Sequence, residues 1–299
     1  MNEIWLAFLA SGLRQSVPLL LAALGGMFSE RGGIVNVALE GILLFGALAG
    51  AVTVERLENG LGWHSFLVPW LGVLAAMVVG GAIALLHGWI CIRYRADQIV
   101  SGIAINMLAI GISALALSSL YATTASSPPV EQRLPTWAGF SPLLYLAFLL
   151  VPLSWYVLFR TPFGLRLRAV GEAPHAAASA GANVNRVRYS GVLISGILGG
   201  LGGAFLSIGI LNQFVAGMSA GRGFIALAAM ILGNWHPGRI LGAALLFGFT
   251  DAAAIFLQSE GVLPGSLIQA LPFLLTMLVL AGLVGRVRPP AASGKIEEE

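Results

Sequence analysis

Ten polar or charged side chains fall inside apolar runs of this chain: Arg14, Gln15, Asn36, Glu40, Gln98, Asn106, Asn212, Gln213, Asp251 and Gln258. An unpartnered polar group in such surroundings is costly, so each is a candidate for function. The amides Asn36, Asn106, Asn212 and Gln213 offer neutral donors and acceptors. These suit a hydroxyl or ring edge of an uncharged solute, which cannot repay the desolvation of a buried ion. The same amides serve equally well as interhelical hydrogen bonds. Glu40 and Asp251 fit pairing with an arginine inside a bundle, Arg31 and Arg222 being the candidates, or the coupling of an ion gradient. Phe214 and Phe224 flank the outer end of the same region and offer either stacking faces for a planar ligand or packing surface.

Little in the sequence supports catalysis. The histidines His64, His87, His175 and His236 are far apart, and neither an H-E-x-x-H nor a G-x-S-x-G pattern occurs. A G-x-x-x-x-G-K-[ST] phosphate loop is missing too, and Lys295 is the only lysine. The chain therefore does not bind ATP in that manner. Neither a ladder of spaced arginines for voltage sensing nor a TVGYG-like filter is present. Cys91 is the only cysteine, which removes disulfides and cysteine-based metal sites.

The elements that must position these residues are membrane helices. Of 299 residues 58% are hydrophobic and 10% charged, with a mean hydropathy of +0.89, whereas soluble domains carry about 25% charged residues. The fold class is an all-α polytopic membrane protein with about 8–10 transmembrane helices, since a span takes roughly 17–25 residues. Spans are expected near 4–27, 34–54, 66–91, 98–119, 142–159, 190–211, 223–235, 240–258 and 266–285. The N-terminus has no basic stretch before its apolar run, so the first span is expected to be retained. Fifteen of the sixteen basic residues are arginines scattered at span ends, which argues for loop orientation and against nucleic acid. Arg93, Arg95, the 160–188 stretch, Arg286, Arg288 and Lys295 then share the cytoplasmic face, and 122–142 forms an outer loop. Residues 1–288 read as one transmembrane domain and 289–299 as a cytoplasmic tail.

The segment 160–188 is the longest internal stretch unsuited to lipid, with five basic residues and one acid. Within it Glu172-Ala173-Pro174 reads as a helix start and Gly181 as its stop. So short a helix gains order by docking, on its own subunit or in a groove of another protein, although a connector resting on anionic headgroups has the same composition.

Two patterns shape the rest. Thirty-nine glycines, with the run Gly199-Gly200-Leu201-Gly202-Gly203, fit close helix approach. The stretch Arg31–Glu40 is echoed by Arg222–Ile231, with an odd number of expected spans between. That spacing predicts the inverted repeat of many transporters, whose solute sites lie at broken helices, and the second copy, stopped by His236-Pro237-Gly238, is too short to cross and reads as a half-helix or broken span.

Four long strings carry a resemblance: FSERGGIVNVALEGILLFGALAGA (28–51), RYRADQIVSGIAINMLAIGI (93–112), FGLRLRAVGEAPHAAASAGANVNRVR (163–188) and GRGFIALAAMILGNWHPGRILGAALLFGFTDA (221–252). In these the chain resembles the permease subunits of bacterial ABC importers, in the branched-chain amino acid, simple sugar and nucleoside group and specifically its shorter nucleoside-type subunit. The resemblance implies a non-enzymatic permease that forms a path for nucleosides or a related small polar solute. Simple sugars, riboflavin-like molecules or branched-chain amino acids are alternative ligands, and an ion-coupled secondary transporter is an alternative mechanism. It implies a multi-pass protein of the bacterial inner membrane with a cytoplasmic C-terminus and no cofactor of its own, ATP being bound by the partner. Its partners would be a cytoplasmic ATP-binding subunit, a second, homologous permease in a heterodimer, and an extracytoplasmic substrate-binding protein. The ATPase would grip Arg168, Gly171, Glu172, Pro174, Ala177, Ala178 and Gly181. The solute path would pass Asn36, Glu40, Asn106, Asn212, Gln213, Phe214 and Asp251. Where the family often has Asn-Pro in the coupling region, this chain has Ala173-Pro174.

Overall fold

Inside lipid the backbone must satisfy its own hydrogen bonds, and the apolar runs do so as helices. The computed structural model describes residues 2–259, 270–271, 274–278 and 288–295. Its helices are α1 (Asn2–Arg31), α2 (Leu39–Glu55), α3 (Val68–Arg93), α4 (Gln98–Tyr121), α5 (Pro142–Arg160), α6 (Pro162–Glu172), α7 (Pro174–Ser179), α8 (Val184–Ala204), α9 (Arg222–Leu232) and α10 (Pro237–Ser259). Short π-helical turns, Arg56–Gly60 and Phe205–Leu211, extend α2 and α8.

Among the described residues six helices are long and apolar enough to cross a membrane: α1, α3, α4, α5, α8 with its π turn, and α10. Two expected spans are shorter. The span expected at 34–54 starts only at Leu39, because residues 32–38 are non-helical. α9 has 11 residues, about 16 Å at 1.5 Å each against a hydrocarbon core of about 30 Å. Most of the span expected at 266–285 lies outside the described residues. α8 begins earlier than expected, with the Asn183 carboxamide accepting the Arg186 N–H at 3.0 Å as its cap.

α8 forms the centre, packed against α1, α2 and α3. Its glycines make that approach possible: a methyl at Gly200 would strike the Ala76 carbonyl of α3, and one at Gly203 the Leu43 carbonyl of α2. Small residues thus let backbone pack on backbone. By contrast α4 turns apolar side chains such as Val100, Met107 and Leu115 outward, 64–70% exposed.

The two ends of the bundle differ. At one end the 93–98 turn, the start of α8 and Lys295 surround a single cavity, so the segments expected on the cytoplasmic side do lie together. At the other end the 122–141 segment ties to 212–216. Ser127 N–H donates to the Phe214 carbonyl at 2.9 Å and Val130 N–H to that of Asn212 at 2.8 Å. The Glu58 carboxylate accepts the N–H groups of Glu131 and Gln132 at 3.0 and 2.8 Å.

Candidate functional site

Among the described residues the helical path is broken within the bundle at 32–38 and at 212–221, and the two breaks meet. α1 ends at Arg31, residues 32–38 turn back inward, and α2 starts at Leu39 and runs toward the 122–141 end. From that end residues 212–221 turn inward, and α9 starts at Arg222 and runs the opposite way, to Trp235 beside Arg31. Their beginnings abut: a methyl on Gly223 would collide with the backbone of Glu40. The half-buried Glu40 carboxylate accepts the N–H of Gly221 at 2.8 Å and of Gly223 at 2.6 Å. It occupies the positive end of α9, where the free N–H groups and the helix dipole favour an anion.

The start of α2 is finished by neutral groups. Asn106 accepts the Gly41 N–H at 2.8 Å and donates to the Val37 carbonyl at 3.0 Å. Asn36, fully buried, donates to the Ser195 hydroxyl at 2.9 Å and accepts the Ala38 N–H at 3.2 Å. Gln98 accepts the Val35 N–H at 2.6 Å, and Ser29 donates to the Ile34 carbonyl at 2.6 Å. His87 meets the Val35 carbonyl through Nε2 and Ser101 through Nδ1, both at 3.0 Å. Since a carbonyl only accepts, the ring carries its proton on Nε2.

Asp251 lies 3.7 Å from the Arg222 guanidinium, which also donates to Gln15 at 3.3 Å and to the Met218 carbonyl at 3.2 Å. Pairing with an arginine thus describes Asp251, whereas Glu40 takes backbone N–H groups instead. Arg31 does not reach Glu40; it donates to the Trp235 carbonyl at 3.0 Å, while the Trp235 indole donates to Glu30 at 2.7 Å. Asn212 sits in the left-handed region at φ 55° and donates to the Val130 carbonyl at 3.3 Å. Gln213 beside it is half-buried. Phe214 is fully buried with its N–H on the Ser127 hydroxyl, so its ring packs in the core and presents no stacking face at the mouth; Phe224 is 47% exposed.

The 160–188 stretch forms two helices where one was expected. α6 starts at Pro162 with the Thr161 hydroxyl accepting the Gly164 N–H at 3.2 Å. The pair Thr161-Pro162 is a start signal that the sequence reading passed over. Glu172 therefore ends α6, and its carboxylate accepts the Ala291 N–H at 3.4 Å. α7 does begin at Pro174, and Gly181 ends it at φ +84°. Only Ala177 of α7 is buried; His175, Ala176, Ala178 and Ser179 face outward. Gly171 and Arg168 point the other way. Gly171 packs on the Arg31 carbonyl so closely that a Cβ would not fit, and Arg168 stands 4.8 Å over the Phe159 ring. They tether the knob to the bundle. Nearby, in the turn after α9, burial and the charges of Arg239 and Arg31 hold the His236 imidazole below its ordinary range.

His87, Ser195 and Ser29 are the residues whose part in this junction the sequence did not mark, whereas Gln98 was among its candidates. Their partners stand 5 to 159 positions away along the chain, and polarity within an apolar run was the only signal available.

The family model for the branched-chain amino acid transport system permease component matches residues 8–280. The guanosine ABC transporter permease protein NupQ of Bacillus subtilis strain 168 is 41% identical over 93% of this chain and 92% of its own. The nucleoside ABC transporter permease protein NupC of Lactococcus lactis strain MG1363 is 39% identical, over 95% and 94%. A putative glucose ABC transporter permease protein of Haloferax volcanii is 35% identical, over 81% and 74%. No solved structure matches.

Proposed function

The chain belongs to the branched-chain amino acid transport permease family, and from that premise we propose that it carries an uncharged nucleoside across the membrane. A multi-pass permease subunit of an ABC importer works with an ATPase and a substrate-binding protein. The observation that carries the choice of solute is the junction of α2 and α9. In transporters with broken helices, half-helix N-termini point at anionic groups of the solute. Here Glu40 fills that position at α9, Asn106 closes α2, and Asp251 offsets Arg222. Neither of these two helix starts is left to bind the carboxylate of an amino acid, while neutral amides are the groups suited to sugar hydroxyls and a base edge. The names of NupQ and NupC support the same solute class. The glucose relative supports a sugar as the second reading.

The solute passes Asn36, Asn106, Asn212 and Gln213, with Glu40 and Asp251 serving as fixed internal counter-charges. α7 docks in the ATP-binding subunit through His175, Ala178 and Ser179, and Ala177, Gly171 and Arg168 hold it to the bundle. A second, homologous permease completes the path as a heterodimer, and ATP binds only to the partner. Residues 1–288 act as one transmembrane domain in the bacterial inner membrane, with 289–299 and the 160–188 stretch on the cytoplasmic side. The grouping of Arg93, Arg95, Arg188 and Lys295 at one end supports that orientation. Competition for guanosine uptake tests the solute class in cells expressing the full importer. Unlabelled nucleosides should suppress uptake while excess leucine and glucose leave it unchanged; suppression by leucine would overturn the reading.

A further inference from the structure

α3 and α8 lie side by side in opposite directions: Gly81 of α3 faces Leu193 and Ile197, and Gly88 faces Val192 and Tyr189. Two hollows lie on this seam. One, about 430 Å³, is an apolar groove whose floor is Gly81 and Ala82, walled by Val78, Leu85, Leu193 and Ile197. The other, about 250 Å³, lies at the end of the same helices and is lined by Arg93, Arg95, Gln98, Asn185, Arg188 and Lys295.

Helical register joins them. Ile92 in the basic hollow follows Leu85 by seven residues, nearly two turns, so both stand on one stripe of α3. Tyr189 precedes Leu193 by four and Ile197 by eight on the matching stripe of α8. From Arg93 to Gly81 is about 18 Å along the helix, close to the roughly 15 Å of hydrocarbon in one leaflet. A cationic pocket at the membrane edge above an apolar trough one leaflet deep has the charge and shape of a single molecule. Basic pockets between transmembrane helices bind anionic lipid headgroups.

We propose that this seam is a binding site for one anionic phospholipid, with its phosphate among Arg93, Lys295 and their neighbours and an acyl chain along the Gly81–Ala82 floor. The site borders the 32–38 segment, since Ile34 and Gln98 also line the basic hollow, and it would stabilise α3 against α8 whatever solute the importer carries.

Native mass spectrometry of the full chain with its partner subunits, titrated with phosphatidylglycerol or phosphatidylcholine of the same acyl chains, tests it. One phosphatidylglycerol should be retained in preference to phosphatidylcholine. Replacing Arg93→Gln together with Lys295→Gln should weaken retention about thirtyfold, since each basic residue near an anionic surface contributes roughly a factor of five. Ala82→Trp, at an exposed position, should fill the trough and abolish retention while thermal stability measured without lipid stays unchanged. Equal retention of both lipids, unaltered retention in either variant, or displacement of the lipid by millimolar inorganic phosphate would each overturn the proposal; the last would mark a site for free phosphate.

Discussion

The two places where the helical path is interrupted solve one problem in opposite ways. Residues 32–38 are held by side chains from many elements: Ser29 of α1, His87 of α3, Gln98 and Asn106 of α4, and Ser195 of α8. Residues 212–223 are held at the far end by backbone pairing with 125–130, by the Ser127 hydroxyl and by Asn212, within the turn by Arg222 on the Met218 carbonyl, and at the buried end by the carboxylate of Glu40. Where the two breaks meet, restraint is distributed over several helices at the first and rests on one carboxylate at the second. Many of the polar groups that the sequence marks for solute contact therefore also complete the backbone where helices stop. Substitutions can separate the two duties.

Glu40→Leu should have the largest effect. It leaves the Gly221 and Gly223 N–H groups without an acceptor, about 1–3 kcal/mol for each buried group, and should lower the melting temperature and abolish uptake. A variant melting with the wild type would show that restraint at the second break is shared after all. Asn106→Leu comes next: it orphans the Gly41 N–H and Val37 carbonyl, but four other clamps persist, so the loss should be about 2–3 kcal/mol. Uptake by Asn36→Leu and Asn106→Leu, compared at equal amounts of folded protein, separates capping from solute contact. Normal uptake in both would remove these amides from the path.

Asp251→Asn should cost less, about 1–3 kcal/mol, because Arg222 keeps Gln15 and the Met218 carbonyl. A loss equal to that of Glu40→Leu would mean that the pair, rather than the cap, positions α9. On the outward face of α7, Ala178→Trp should change stability by under about 0.5 kcal/mol and still block uptake, with solute no longer stimulating ATP hydrolysis; unchanged uptake would remove α7 from the ATPase contact. The smallest effect concerns pH. The His236 imidazole is held below its ordinary range, so as pH falls through about 6.5 the unfolded chain binds a proton that the folded chain resists, and stability drops. His236→Gln should flatten that decline in a melting series from pH 7.5 to 5.5, and an unaltered slope would assign the decline to other groups.

What the sequence made legible follows from how local each signal was. α7 could be placed to its first residue because Pro174 fixes a helix start and Gly181 supplies the positive φ of its stop. The break before α9 was legible from its short apolar run ending in His236-Pro237-Gly238, whereas the break before α2 was not, the span there being expected from residue 34. α6 was overlooked because its arginines hid an apolar stripe of Phe163, Leu167 and Val170. Phe214 stayed open between stacking face and packing surface because aromatic character says nothing about which way a ring points; the fold turns it inward beneath Ser127. The clamps on residues 32–38 were out of reach for a different reason. Most join residues more than 50 positions apart, and nothing local distinguishes a glutamine that will meet a distant amide from one that will not.

Gly171 has a mechanical consequence. Its contact with the Arg31 carbonyl leaves no slack between the stem of the knob and the end of the first helix, and Arg31 in turn carries the turn at Trp235. A push on the knob of even one ångström has no void there in which to dissipate. It must emerge as a tilt of the first helix or a lift of the turn below the second break, so the subunit behaves at that corner as a rigid crank.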